Sequence, residues 1–572
     1  MKHFFRNHIR RAIDILCEQG EFSFFEDECP PIDVIFPKDE AYGDYTTNIA
    51  LVLAGKVKKN PMNVAERIVE VLRDELSTDE VVANIVVVRP GYINFTLAQK
   101  YFEDIIREVN DLGMHFGDGE NKMKKVMVEY ANLNTHKEFH IGHLRNVFVG
   151  FAVSQTLRKA GYDVITANYG GDTGTHVAKC LWGMVKFHLH DDLDAIPNKA
   201  EFLGKVYTEA SQSIAQHPEY EDEFKLLQKR FDAGDEDLIA LWKETKQWSL
   251  DEFERLYRLL GVSFDAYFYE SEEEIAGKKL LPELFDRGIV KESDGAIIAD
   301  LEEYNLGVLV LVRKDGGILY GLKDIPLAKE KFEKFGVDRS VVVVDVRQSL
   351  YFKQLFKILE LYGFHKETAH VGYDFVTLSG GEGMSSRKGN IITANSLIEH
   401  VTEDVRRQFP ESPDAMSIAI GAIRFSMLKH SAGSTIEFDI AESVKLDGAT
   451  GPYVQYAHAR IAGILRKADE CIPDQSVSTD GYVMHEKEIA LVREIEKFPE
   501  LIADIAEHHD VHKISHYALR IADRFHSFYS ECKVVDTENI ATSVARIHLV
   551  RAVKIVLAEA LRLIGVSAPE RM

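Results

Sequence analysis

Two short stretches carry residue types suited to phosphate chemistry. The first, Phe139-His140-Ile141-Gly142-His143, follows a strand-like run and opens a segment with helical periodicity. A helix N-terminus presents unsatisfied N–H groups and the positive end of the helix dipole, so phosphate oxygens are drawn there. His140 and His143 are three residues apart and share a helix face, their imidazoles can donate hydrogen bonds to phosphate, and Gly142 lets a ligand approach the backbone. A His-x-x-His pair at a helix start is equally a metal pair or ordinary surface chemistry, so alone it decides nothing. The second stretch, Gly383-Met384-Ser385-Ser386-Arg387-Lys388-Gly389-Asn390, is rich in Gly and Ser and basic. A cationic loop suits a departing phosphate group, although such a stretch standing alone is more often plain surface loop.

The elements that must position these residues follow from periodicity. Residues 125–130 read as a strand, 141–160 as a helix ended by Gly161, and 163–168 as a second strand, which together make a βαβ unit and begin a parallel sheet. Residues 185–300 turn charged and helical and read as an insertion. The sheet pattern then returns at 307–313, followed by an Asp315-Gly316-Gly317 turn, a helix over 324–335 and a strand over 340–345. Before this sheet, a helix over 63–76 begins behind Pro61 and a β-branched run covers 81–88, which predicts a smaller α/β domain. Beyond about residue 430, segments 453–469, 485–506, 512–531 and 541–564 all read as amphipathic helices and predict a bundle. The expected domains are therefore 1–115, 116–430 and 431–572.

Composition agrees with a multidomain globular chain: 572 residues exceed one hydrophobic core, and 45% apolar with 28% charged residues is ordinary. A net charge of −24 argues against a protein that coats nucleic acid through its overall field, while leaving room for local basic tracks. No stretch approaches membrane-spanning length and no secretory signal opens the chain, so a cytoplasmic location is expected. Five scattered cysteines without a C-x-x-C indicate neither a disulfide framework nor a zinc site.

The two stretches, in this order and on either half of a split sheet, resemble the HIGH and KMSKS signatures of class I aminoacyl-tRNA synthetases. Neighbouring blocks narrow the resemblance to the arginyl-tRNA synthetases: Glu129 through Arg145, Gly171-Asp172-Thr173-Gly174, Tyr320 to Asp324, Gln348-Ser349-Leu350, Tyr453 to Arg460, the block from Gly565 to Met572, and near the N-terminus Gly43-Asp44-Tyr45 and Gly91-Tyr92-Ile93-Asn94-Phe95. The resemblance implies a Rossmann-type parallel-sheet catalytic domain split by a helical insertion, an N-terminal α/β added domain and an all-α anticodon-binding bundle. It implies ATP with Mg²⁺, L-arginine and arginine tRNA as partners, no structural metal, no membrane, and a monomer.

The resemblance further implies roles residue by residue. His140, His143 and Lys137 would act on the triphosphate and Arg387 and Lys388 on the pyrophosphate, while Gly142, Gly171, Asp172, Met384, Ser385 and Ser386 would hold ATP. Glu129 and Asn134 would face the amino acid's backbone ends, and Tyr320, Asp324 and Gln348 its guanidinium, a planar cation that carboxylate and neutral acceptors hold well. The 512–551 segment interleaves aromatic and basic residues, as single-stranded RNA recognition requires; Tyr517, Tyr529 and Met572 are its expected contacts, with Phe528 assigned to the core, and Tyr45 and Asn48 are candidates in the added domain. Gly383 and Ser386 stand where the KMSKS pattern has lysines, a role that Lys137 is expected to compensate. Thr173, His176 and Leu133 also depart from common family residues. Two rival readings remain: an inactive RNA-binding relative, and a ligase that passes arginyl-adenylate to another acceptor.

Overall fold

The structure is a computed structural model that describes residues 1–23, 29–379, 392–410, 412 and 414–572. It divides into two compact units, one of residues 117–463, 498–522 and 557–572, the other of residues 1–116, 464–497 and 523–556.

The first unit is built on valine-rich segments such as Arg339–Asp345, whose side chains are buried on both faces as parallel strands require. Its five-stranded sheet comprises β1 (Lys125–Glu129), β2 (Asp163–Gly170), β3 (Ala266–Tyr269), β4 (Arg339–Asp345) and β5 (Glu367–Tyr373), in the spatial order β5-β4-β1-β2-β3. Every neighbouring pair is parallel, with Val128 opposite both Val341 and Thr166. Strand order therefore reverses beside β1, the place where open α/β sheets bind ligands at the carboxyl ends of their strands. Four helices frame that place: α1 (Ile141–Lys159), α2 (Glu270–Asp286), α3 (Tyr320–Phe335) and α4 (Ser349–Leu361).

Three differences from the sequence expectations have physical causes. β3 lies within the stretch read wholly as helical insertion; it is only four residues, bounded by Asp265 and Glu270, too short to show a period of its own. Val308–Val312 does not join the parallel sheet. It pairs antiparallel with Ala296–Asp300, which pairs with Lys291–Ser293, in a separate three-stranded sheet. Segment 485–506 is two helices, Glu486–Glu496 and Phe498–His508, the second opening with Pro499 in its first turn, a position that suits proline's missing N–H. The insertion itself is helical over Lys199–Gln216, Pro218–Asp232 and Glu236–Leu259, and packs Ala210, Phe224 and Leu227 against Val177, Leu181 and Trp182.

Two buried arginines bolt the first unit together. Arg145 of α1 donates to four backbone carbonyls, those of Asp374, Phe375, Ser431 and Ala432, at 2.6–3.1 Å. Arg424 donates to the carbonyls of Leu260 and Gly565 and lies 4.8 Å from the ring centres of Phe148 and Phe151. A Cβ at Gly565 would stand 1.4 Å from the Arg424 guanidinium, so only glycine fits there. Gln455 donates to the carbonyl and hydroxyl of Ser567, and His458 Nδ1 lies 2.9 Å from the Pro569 carbonyl.

In the other unit, Tyr45–Thr47, Tyr92–Leu97 and Val82–Val88 form a three-stranded antiparallel sheet. Gly43 has a φ of +99°, and a Cβ there would meet the Phe95 carbonyl at 2.6 Å. Asp44 accepts from the Leu97 amide and pairs with Arg493. The Gly43-Asp44-Tyr45 block thus secures its own unit.

Candidate active site

The His motif is fixed by reciprocal capping. His140 is the N-cap of α1: its Nδ1 accepts the Gly142 amide, and the His143 Nδ1 accepts the His140 amide, both at 3.2 Å. The rings stack with centres 3.6 Å apart. Burial, followed by the charges around them, lowers both imidazoles, His140 to about 4 and His143 well below its usual value, so both are neutral at pH 7. With Nδ1 accepting, each neutral ring carries its proton on Nε2 and remains a donor.

The loop between β1 and α1 is held in an unusual conformation. Ala131, Asn132 and His136 have φ of 73°, 50° and 60°, a left-handed region costly for side-chain-bearing residues. Hydrogen bonds impose it. Asn146 of α1 accepts the Ala131 amide at 2.5 Å and donates to the Val343 carbonyl of β4, spanning the point where strand order reverses. Asn132 accepts the Tyr169 amide, and buried His136 lies between Thr135 and Thr245. Asn134 bridges to Gly171, where a Cβ would stand 2.2 Å from the Asn134 side-chain oxygen.

These elements enclose a cavity of about 1030 Å³ whose lining includes Glu129, Asn134, His140, Gly142, His143, Gly171, Tyr320, Asp324 and Gln348. Nine of the residues singled out in the sequence are therefore brought to one place. The sequence did not reveal four others in its wall: Tyr169, Glu270, Lys331 and Tyr351. Lys331 and Asp324 are seven apart on α3, two turns and one face, a spacing that could have found the lysine.

The cavity's charge pattern is asymmetric. Glu129 pairs with Lys331 at 2.5 Å and accepts from Asn132, and Glu270 pairs with Lys323 at 3.2 Å. Asp324 accepts from the Tyr351 hydroxyl through Oδ2, while among the described residues its buried Oδ1 has no hydrogen-bond partner, and neither does the buried Tyr169 hydroxyl. Burial above all, with Glu129 and Glu270 adding to it, pushes the Asp324 carboxyl up to about 7. An ionised carboxylate so placed is costly unless a cation meets it.

Other expected residues fall elsewhere. Lys137 does not line this cavity. Its ammonium lies 5.7 Å from the Tyr207 ring centre and helps keep His140 and His143 neutral. Asp172 is fully buried and accepts from Lys246, the Ser271 hydroxyl and the Ser271 amide, so it braces the start of α2 instead of facing ATP. Tyr45 is buried, with Phe5 and Phe36 on its ring and its hydroxyl bonded to Glu496; Tyr517 is buried against Phe498. Neither offers a surface to RNA, because each packs at an apolar face of its own unit. Phe528 is likewise buried. Asn48 is exposed, and Tyr529, stacked on Phe525, and Met572 are half-buried. Gly383, Met384, Ser385, Ser386, Arg387 and Lys388 lie outside the described residues. The chain that follows them pairs with the His motif: the Ile141 amide donates to the Ile392 carbonyl and the Ala394 amide to that of Phe139.

A family described as "tRNA synthetases class I (R), catalytic domain" matches residues 112–439, more than half of the chain. The chain belongs to the class I arginyl-tRNA synthetase family. Two further families match, an "Arginyl tRNA synthetase N terminal domain" over residues 3–97 and a "DALR anticodon binding domain" over 454–572. Relatives named arginine–tRNA ligase include one from Bdellovibrio bacteriovorus, 33% identical over 96% of both chains, and one from Lactococcus lactis, 32% identical over 94% of this chain and 95% of the relative. The solved arginyl-tRNA synthetase of Thermus thermophilus superposes with a TM-score of 0.81 at 26% identity, each chain covered completely. Among the described residues of this synthetase, no helix is long and apolar enough to cross a membrane.

Proposed function

We propose that the chain activates L-arginine with ATP and transfers it to arginine tRNA, and that the cavity at the reversal of strand order is where activation occurs. The arginine carboxylate oxygen attacks the α-phosphorus, the bond to the β-phosphate oxygen breaks, and pyrophosphate leaves. The terminal ribose hydroxyl of the tRNA then attacks the arginyl carbonyl, loses its proton and expels AMP. The observation that supports this reading most is Asp324, an anionic partner with one buried oxygen unsatisfied, in a cavity that also presents two neutral imidazole donors at a helix N-terminus.

In this reading the Nε2–H groups of His140 and His143 donate to the phosphates and stabilise charge as it develops, without proton transfer. Asp324, Gln348 and Tyr320 hold the guanidinium, and Glu129 and Asn134 the α-ammonium and carboxylate. The reaction rests on orientation of two bound substrates. Mg²⁺ enters with ATP as part of that substrate. Arg387 and Lys388 supply cations around the phosphates, with Met384, Ser385 and Ser386 in the same loop, while Lys137 acts from outside the cavity through the positive charge it places near His140 and His143. The three segments expected at 1–115, 116–430 and 431–572 divide tRNA-corner contact, catalysis and anticodon contact, the last through Tyr529 and Met572, with Asn48 in the first. We read the chain as acting as a monomer, and the cytoplasm is the compartment we assign.

The test is arginine-dependent exchange of pyrophosphate into ATP, with and without arginine tRNA and with lysine and glutamine as controls. Exchange with arginine alone among the amino acids, and only when tRNA is present, is expected. Exchange that needs no tRNA favours the ligase with another acceptor, and no exchange by folded protein favours the inactive RNA-binding relative.

A further inference from the structure

We propose that Tyr351 is a positioning residue for arginine recognition: its hydroxyl holds one oxygen of Asp324 and leaves the other turned to the guanidinium. The inference rests on the arginine reading above and adds to it a residue outside the motifs. Tyr351 sits in the first turn of α4, three residues beyond Gln348, so both lie on one face of the chain's entry into that helix and both line the cavity. Its hydroxyl donates to Asp324 Oδ2, and its ring packs edge-on against Phe352 at 5.2 Å. Asp324 Oδ1 is buried and has no hydrogen-bond partner among the described residues.

A phenol is chemically suited to this task. It fixes the carboxylate without cancelling its charge, whereas a lysine or arginine in its place would compete with the substrate cation. The groups that face Asp324 are Glu129 from β1, Tyr169 from β2, Glu270 from α2, Tyr320 and Lys331 from its own helix, and Tyr351 from α4. Burial and the two carboxylates favour the protonated acid; the Tyr351 hydrogen bond and Lys331 oppose them. A protonated carboxyl is a poor partner for a guanidinium, so the loss of the hydroxyl weakens arginine binding most where Asp324 is least ionised.

The experiment measures arginine affinity by calorimetry, and the KM values for arginine and ATP, from pH 6 to pH 9, on the full chain and on Tyr351→Phe and Asp324→Asn. Tyr351→Phe keeps the ring and its packing on Phe352. It is expected to bind arginine about tenfold more weakly near pH 7, to approach the unaltered protein as pH rises beyond 8, and to keep its KM for ATP. Asp324→Asn is expected to bind weakly at every pH. A Tyr351→Phe profile identical to that of the unaltered protein, or a loss that is uniform across pH, overturns the proposal and leaves the arginine reading standing. Unaltered protein that binds no arginine overturns the arginine reading and the proposal together.

Discussion

At the scale of single residues, the cavity is built around one buried carboxyl, Asp324. Asp324 is raised from 3.8 to about 7, so in the free protein it is largely protonated below neutrality, and a guanidinium selects the ionised form. Arginine affinity is therefore expected to increase with pH up to about 7 and then level off, with protons released on binding near pH 6.5; calorimetry in two buffers of different ionisation enthalpy measures the release directly. The same shift has a stability side. A carboxyl raised on folding favours the fold below its unfolded value, and that advantage is lost as pH rises through about 7. Asp324→Asn should consequently stabilise the unliganded protein at pH 8, by about 1–3 kcal/mol, while weakening arginine binding at least ~100-fold; a chemical denaturation curve at that pH would show the first effect. Lys331 behaves oppositely. Lys331→Met leaves Glu129 buried without its cation and is expected to cost about 3–5 kcal/mol, much of it recovered in the double variant with Glu129→Gln. Asp324 was legible in the sequence through its register with a family block and Lys331 only through its seven-residue spacing from Asp324, but Tyr169 and Tyr351 were not singled out, because a tyrosine looks the same whether it faces a cavity or solvent. Tyr517 shows the converse: its aromatic and basic neighbours suggested an RNA contact, and burial spends it on Phe498.

At the scale of elements, the site depends on a short strand-to-helix loop whose left-handed residues are held by hydrogen bonds from three directions. Gly171 is the tightest point. Gly171→Ala would drive a Cβ to 2.2 Å from the Asn134 oxygen and displace the loop that ends at His140, so kcat/KM for arginine-dependent exchange is expected to drop at least tenfold with the helical circular-dichroism signal unchanged. The helix His512–Glu531 falls on its expected bounds because it repeats its apolar spacing over several turns, and β1 and α1 fall within a residue of expectation because an apolar run marks the strand and Gly161 ends the helix. β3 and the pairing of Val308–Val312 could not be read from the sequence. A four-residue strand has no measurable period, and alternation identifies a strand without naming the sheet that receives it.

At the scale of the whole molecule, residues far apart in sequence close the catalytic unit. Arg424 and Gly565 are 141 positions apart, and Arg145 reaches Ala432 across 287. Gly565→Val is expected to lower the melting temperature of the catalytic unit markedly, since the added carbons and the Arg424 guanidinium cannot share that space; limited proteolysis of residues 117–463 would report it. The family assignment of the 454–572 segment does not convey this, because an anticodon-binding signature gives no hint that residues 565–569 lock onto a sheet domain. The lock also sets the timing of biosynthesis. A ribosome that has just finished β1 must translate about 440 further codons before Gly565 is available, about 20–90 s at 5–20 residues per second. For about the last 200 of those codons, after Leu361 has completed α4, the cavity side chains up to that helix are already synthesised while the peptide that seats Arg424 is not, so the nascent catalytic unit cannot close its lock until translation has run far past the cavity itself. A frameshift or early stop a few codons before 565 would then act on arginine activation itself, though it changes no residue of the cavity.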